Sequence, residues 1–219
     1  MKKLIAGIVL CLCTMLTFAQ NEKFVKAMEP KVAALDTTRN INGLKELANG
    51  FERIAIAEKT EWLPYYYAAL ATVNMGYGMM DNVMSGDPSK IDPVTDKAEA
   101  LLMQAEALSK NNSEIYVVKK MINSLRMIVD PQNRFMLYGP VAQQALETAK
   151  QLNPENPRVY LLEGQDKFFT PEQFGGSKTE AKKLFETASL KYEASKPASN
   201  IDPAWGKGVL QYFMAQVNK

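Results

Sequence analysis

Four segments of the chain repeat one pattern, a small or apolar residue, a large one four positions on and a small or apolar one three beyond that. They are Ala98/Leu102/Ala105, Ala142/Leu146/Ala149, Ala181/Phe185/Ala188 and, more loosely, Leu47/Phe51/Ile54. This spacing sets each triplet on one face of a helix. Tyr65, Tyr116 and Tyr160 each follow a triplet by the same interval. Small residues let helices approach closely, and an aromatic residue opening the next helix covers the contact, which is the requirement of stacked helical hairpins. The pattern predicts an all-α fold, a stack of antiparallel hairpins, and such stacks present surfaces rather than reaction centres.

Residues 1–19 stand apart from this pattern. Lys2 and Lys3 precede an apolar run from Leu4 to Leu16, and Thr17-Phe18-Ala19 offers small residues of the kind a signal peptidase reads. The run is too short to span a bilayer, which needs about 20 apolar residues. It is read as a cleaved export signal of bacterial type, so the expected compartment is the periplasm. Cys11 and Cys13 both lie within it and neither follows a small residue as a lipoprotein cysteine does, so the mature chain is expected to carry no thiol, disulfide or lipid anchor. Without Lys2 and Lys3, the 24 remaining basic residues balance the 24 acidic ones. That balance gives no electrostatic reason to expect nucleic acid or an anionic membrane as partner. No later apolar stretch approaches membrane-spanning length.

Histidine is absent from the chain, which excludes Ser-His-Asp and Cys-His sites, His-ligated zinc and imidazole proton shuttles. An enzyme would have to use carboxylates, Lys, Tyr or Ser, and no acid pair stands out from ordinary helix-surface charge. The expectation is a non-enzymatic protein without cofactor or metal.

Periodicity and breaker residues predict helices over 22–35, 43–57, 65–75, 92–109, 114–129, 141–152, 158–169, 178–194 and 204–217. Between them, 76–94, 130–140 and 170–178 read as long connections because of their glycines and prolines, with Asp92-Pro93 capping the fourth helix. Residues 20–219 are therefore expected to form one domain of about four hairpins plus a terminal capping helix.

This arrangement resembles the tetratricopeptide (TPR) family. Ala142, Leu146, Ala149 and Pro154 match that family's second-helix positions, Tyr160 and Gly164 its first-helix positions, and Trp205 and Tyr212 the opening of a terminal helix. The match covers nearly all of the mature chain. The Ala-bearing helices nevertheless start 44 and 39 residues apart, longer than the family's unit of about 34. The resemblance implies a right-handed superhelical α-solenoid with a concave groove. On that register Tyr66, Leu70, Val117, Met121, Leu161 and Gln165 line the groove, with Trp62 and Tyr67 in the same aromatic run. Such a groove suits an apolar or helical ligand, unless the terminal helix around Trp205, Tyr212 and Phe213 fills it.

Three other constellations have more economical explanations. Met75, Met79, Met80 and Met84 suggest soft-metal chemistry but fit core filling better. Asp81, Asp87, Asp92 and Asp96 lack calcium-loop spacing, and Gly175-Gly176-Ser177-Lys178-Thr179 lacks the spacing of a phosphate loop. The sequence thus predicts a binding or scaffolding module for a protein or peptide partner, with a small apolar ligand, as for the TPR subunit of certain transport systems, as the alternative.

Overall fold

The computed structural model describes residues 22–218 apart from Val83; the expected export signal, with Cys11 and Cys13, lies outside them. The described residues form an all-helical fold: α1 (22–37), α2 (Ile41–Ala57), α3 (Trp62–Gly78), α4 (Pro88–Leu108), α5 (Ser113–Ile128), α6 (Pro131–Leu152), α7 (Pro157–Phe169), α8 (Lys178–Ala194) and α9 (Lys207–Val217). A 3₁₀ turn at Glu172–Phe174 joins α7 to α8. No described helix is long and apolar enough to cross a membrane.

Helix starts follow local chemistry. The side chains of Asn40, Asp87, Asn112, Asn156 and Ser177 each accept from a backbone N–H of the turn they open, satisfying donors that a helix N-terminus leaves free. Pro88, Pro131 and Pro157 occupy first positions, where a missing N–H costs nothing.

Neighbours in sequence pack as hairpins, α3 with α4, α5 with α6 and α7 with α8, while α3 also lies against α5, and α9 against α8. All nine residues of the three alanine triplets are buried. In α2 the register differs: Ala48, Phe51 and Ala55 are buried, whereas Leu47 and Ile54 are only partly so. Gly164 shows why close approach matters. A Cβ there would stand 2.5 Å from the Phe185 ring, so α7 and α8 meet at their contact only because that side chain is missing.

Two of the long connections are helical in part or almost throughout: residues 88–94 of the first and 131–140 of the second. α4 begins at Pro88, capped by Asp87, and carries Pro93 inside it; α6 begins at Pro131 and carries Pro140 inside it. An interior proline removes one helical hydrogen bond. Both helices continue through their prolines, and Arg134 of α6 ties to Asp92 of α4 by a two-pronged ion pair at 2.6 and 2.9 Å. At the C-terminus, Ala204–Gly206 forms the approach to α9 rather than its first turn.

Gly164→Ala is expected to force the Phe185 ring out of place and destabilise the protein by about 1–3 kcal/mol, read from the midpoint of urea unfolding. An unchanged midpoint would mean that α7 and α8 are not in contact there.

Candidate functional site

The residues expected to line a groove lie inside the protein. Tyr66, Tyr67, Leu70, Val117, Met121 and Leu161 are buried, and Trp62 and Gln165 partly so. The Trp62 ring meets Tyr66 edge-on at 5.4 Å, Tyr66 meets Tyr67 at 5.1 Å, and Tyr67 stacks on Phe51 at 5.2 Å. What covers part of this face is the segment before α9. Ile201 packs into the core and its carbonyl accepts from Tyr67 Oη at 2.9 Å. Trp205 packs beside it and donates from Nε1 to Tyr66 Oη at 2.7 Å.

An ion pair secures that cover. Arg158, at the start of α7, donates to both oxygens of Glu114 on α5 at 2.7 and 2.8 Å, to the Pro203 carbonyl at 2.9 Å and to the Trp205 carbonyl at 3.4 Å. Glu114 also accepts from Tyr66 Oη at 2.9 Å and Asn156 Nδ2 at 2.7 Å. Burial works against the Arg158 charge, but Glu114, Tyr66 and Tyr192 together outweigh it and hold the guanidinium pKa above its ordinary value. Burial and then the Glu114 charge push the Tyr66 phenol well up. Gly206 closes the segment at φ 104°, where a Cβ would collide with the Tyr192 hydroxyl.

Exposed apolar surface lies elsewhere, in the half of α6 that reads as a loop from its prolines and glycine. Phe135, Met136 and Leu137 are 57%, 82% and 62% exposed, and Val141 is exposed beside them. Three consecutive exposed apolar residues on a helix bury little on folding and mark a surface for something else. Their exposure follows from register. Glu114 pairs with Arg158 and Lys120 with Asp166, so α5 and α7 run parallel and Phe169, the end of α7, stands level with about Ser124. Ser113 Oγ bonds the Ala149 carbonyl and Arg126 lies 5.8 Å from the Tyr138 ring, so α6 runs back along α5. Residues 131–138 therefore project beyond the end of α7 by roughly 12 Å. At the foot of this overhang Gly139 lies beside Met127 and Phe135: a Cβ there would be in ordinary contact, 3.4 Å from Met127 Sδ and 3.6 Å from the Phe135 ring.

Two other places have less to offer a ligand. A cleft between α4 and α5, at Leu102, Met103, Lys119 and Ile122, has room for about one water molecule at most, far below a small ligand pocket. An aromatic cluster joins α7 to α9, where Phe168, Phe169 and Tyr212 each pack edge-on against Phe213 at 5.2–5.6 Å; Phe169 and Tyr212 are exposed, but they do not form a run of consecutive apolar residues.

Among solved structures the chain is similar to the HusA haemophore from Porphyromonas gingivalis, with a TM-score of 0.77 and 33% sequence identity over 89% of this chain and 92% of that one. The chain belongs to the HusA family. No protein-family model and no curated protein matches it. A haemophore is a binding rather than a catalytic protein, so the family likeness favours the small-molecule alternative over a scaffold for protein partners. In this HusA-family chain the exposed triplet stands in the sequence as Phe-Met-Leu between Arg134 and Tyr138, but helix-breaking residues on either side hid its helical setting.

Arg158→Met leaves Glu114 buried without its cation and is expected to cost about 3–5 kcal/mol in urea unfolding. Tyr66, Tyr67, Tyr77 and Tyr192 all have pKa values raised by burial. Their contribution is complete below about pH 10, the ordinary phenol value, and is lost as pH rises from there toward their folded values. Tyrosinate absorbance should accordingly rise late and together with unfolding; early, gradual ionisation of all nine tyrosines of the chain would contradict the burial.

Proposed function

We propose that this chain is an exported binder of haem-class planar tetrapyrroles, and that the overhanging half of α6 is where the ring docks. Family membership with the HusA haemophore supports the ligand class. The observation that carries the location is the exposed Phe135-Met136-Leu137 run beside Met127 and Gly139. A flat apolar ring needs broad apolar contact. This run supplies it on a helix anchored by the Arg134–Asp92 ion pair, whereas the aromatic face of α3 is already covered by residues 201–205.

The residues fit such a ligand. Methionine side chains adapt to irregular apolar faces and their thioethers are polarisable, and Phe135 offers an aromatic face for stacking. Histidine is missing, so any protein ligand to a haem iron would come from Tyr, Met or Lys, and Tyr138, Met136 and Met127 are the near candidates. Ring contact rather than imidazole ligation is the main source of affinity on this reading.

The same reading keeps the sequence's larger picture. Successive hairpins with buried Ala-large-Ala faces support a TPR-like solenoid from about residue 20 onward, with α9 as its terminal cap. The charged n-region and short apolar run of residues 1–19 support export.

Ferric protoporphyrin IX titrated into the protein and followed by its Soret absorbance tests the proposal. The double variant Phe135→Ser/Leu137→Ser should weaken binding at least about tenfold, roughly 1.4 kcal/mol or more, and change unfolding free energy by less than about 0.5 kcal/mol, because both side chains are exposed in the free protein. Phe169→Ser/Tyr212→Ser should leave affinity unchanged. The reverse pattern would move the site to the α7–α9 cluster, and no binding by the wild-type protein would remove the haem reading altogether.

A further inference from the structure

The face of α5 that meets α7 carries polar residues at its far end, where a hairpin stack calls for apolar ones. Lys120 has a side chain only 5% exposed, and among the described residues its hydrogen-bond partner is Asp166 Oδ1 at 2.6 Å. An ammonium has three donors, so a single acceptor leaves a buried cation under-satisfied. Asp166 is itself 43% exposed and can be rehydrated at little cost. Ser124 stands one helical turn further along the same stripe. It is buried, and its Oγ has no hydrogen-bond partner among the described residues. Buried hydroxyls are ordinarily paired, so an orphan calls for an explanation.

The position of these two groups supplies one. Ser124 lies level with the end of α7, at the foot of the overhang, and Met127 is the next residue along the stripe, touching the Gly139 ledge below Phe135. Apolar wall and polar foot therefore adjoin. Rooting a ligand here requires an apolar body with an acidic arm, and haem-class tetrapyrroles have that chemistry: a flat ring with carboxylate side arms on one edge.

Resting on the haem reading above, we propose that Lys120 Nζ and Ser124 Oγ form a carboxylate anchor at the foot of the α6 overhang, which receives an acidic arm of the ligand as Asp166 turns out to solvent. The exchange conserves charge at Lys120, since one carboxylate replaces another, and it gives the Ser124 hydroxyl its missing acceptor. Asp166 acts as a stand-in that keeps the cation paired in the free protein.

The test compares ferric protoporphyrin IX with its dimethyl ester, which has the same ring and no free carboxylate, in the same detergent-containing buffer. The wild-type protein should bind the diacid at least tenfold more tightly than the ester. Lys120→Met should abolish that preference by weakening the diacid alone. Ser124→Ala should weaken the diacid several-fold, leave the ester unchanged and leave the urea midpoint of the free protein unlowered. Asp166→Asn removes the competing carboxylate and should tighten the diacid several-fold. If Lys120→Met does not fold, the Ser124 and Asp166 variants decide by the same diacid-to-ester ratio. Equal wild-type affinity for the two compounds, or variants that move both affinities together, overturns the anchor while the ring site stands. Binding of neither compound overturns the haem reading and the anchor with it.

Discussion

The Glu114–Arg158 ion pair is where three parts of the molecule meet. Glu114 ties α5 to α3 through Tyr66, and Arg158 ties α7 to the approach to α9 through the carbonyls of Pro203 and Trp205. Neither charge is stable alone in that setting, because a buried ion without its partner costs several kcal/mol. The pair holds only if α3, α5, α7 and the terminal segment are all in place, so it acts as a check on assembly as much as a source of stability. It also fixes Ile201 and Trp205 over the aromatic start of α3, which is covered there among the described residues, and this cover is why the proposed ring site lies at the edge of the stack instead.

That edge exists because the hairpins differ in length. The α5–α6 hairpin outruns α7, and among the described residues none buries Phe135 and Leu137 on the first turns of α6. In a hairpin stack an unequal step is the simplest way to expose apolar surface without opening the core. A rigid helix presents it, the Arg134–Asp92 pair steadies it, and the cost of ordering the surface is met during folding rather than on binding.

The hairpin layout was legible in the sequence because it rests on local, periodic signals. Ala98, Ala142 and Ala181 mark their helices whatever surrounds them, and Asn112 and Asn156 mark the starts of α5 and α7. The helical setting of the proposed site and the cover over α3 were not legible, for two physical reasons. Pro93 and Pro140 read as breakers, yet each sits in a helix stabilised by contacts 42 residues apart in sequence, as Asp92–Arg134 is; propensity loses to tertiary pairing. The cover over Tyr66 and Tyr67 comes from residues 201–205, more than 130 positions later, and no periodicity links the two. In α2 the central Phe51 held its place, but the flanking buried positions are Ala48 and Ala55, each one residue beyond Leu47 and Ile54.

Hydrogen exchange followed by mass spectrometry, on the free protein and with saturating ferric protoporphyrin IX, locates the ligand. Added protection is expected only in peptides from about residue 120 to 145, with residues 62–70 and 201–206 already slow to exchange and unchanged by ligand. New protection or new exposure at residues 62–70 and 201–206, with none over α6, would contradict the α6 site and place the ligand beneath the terminal segment instead.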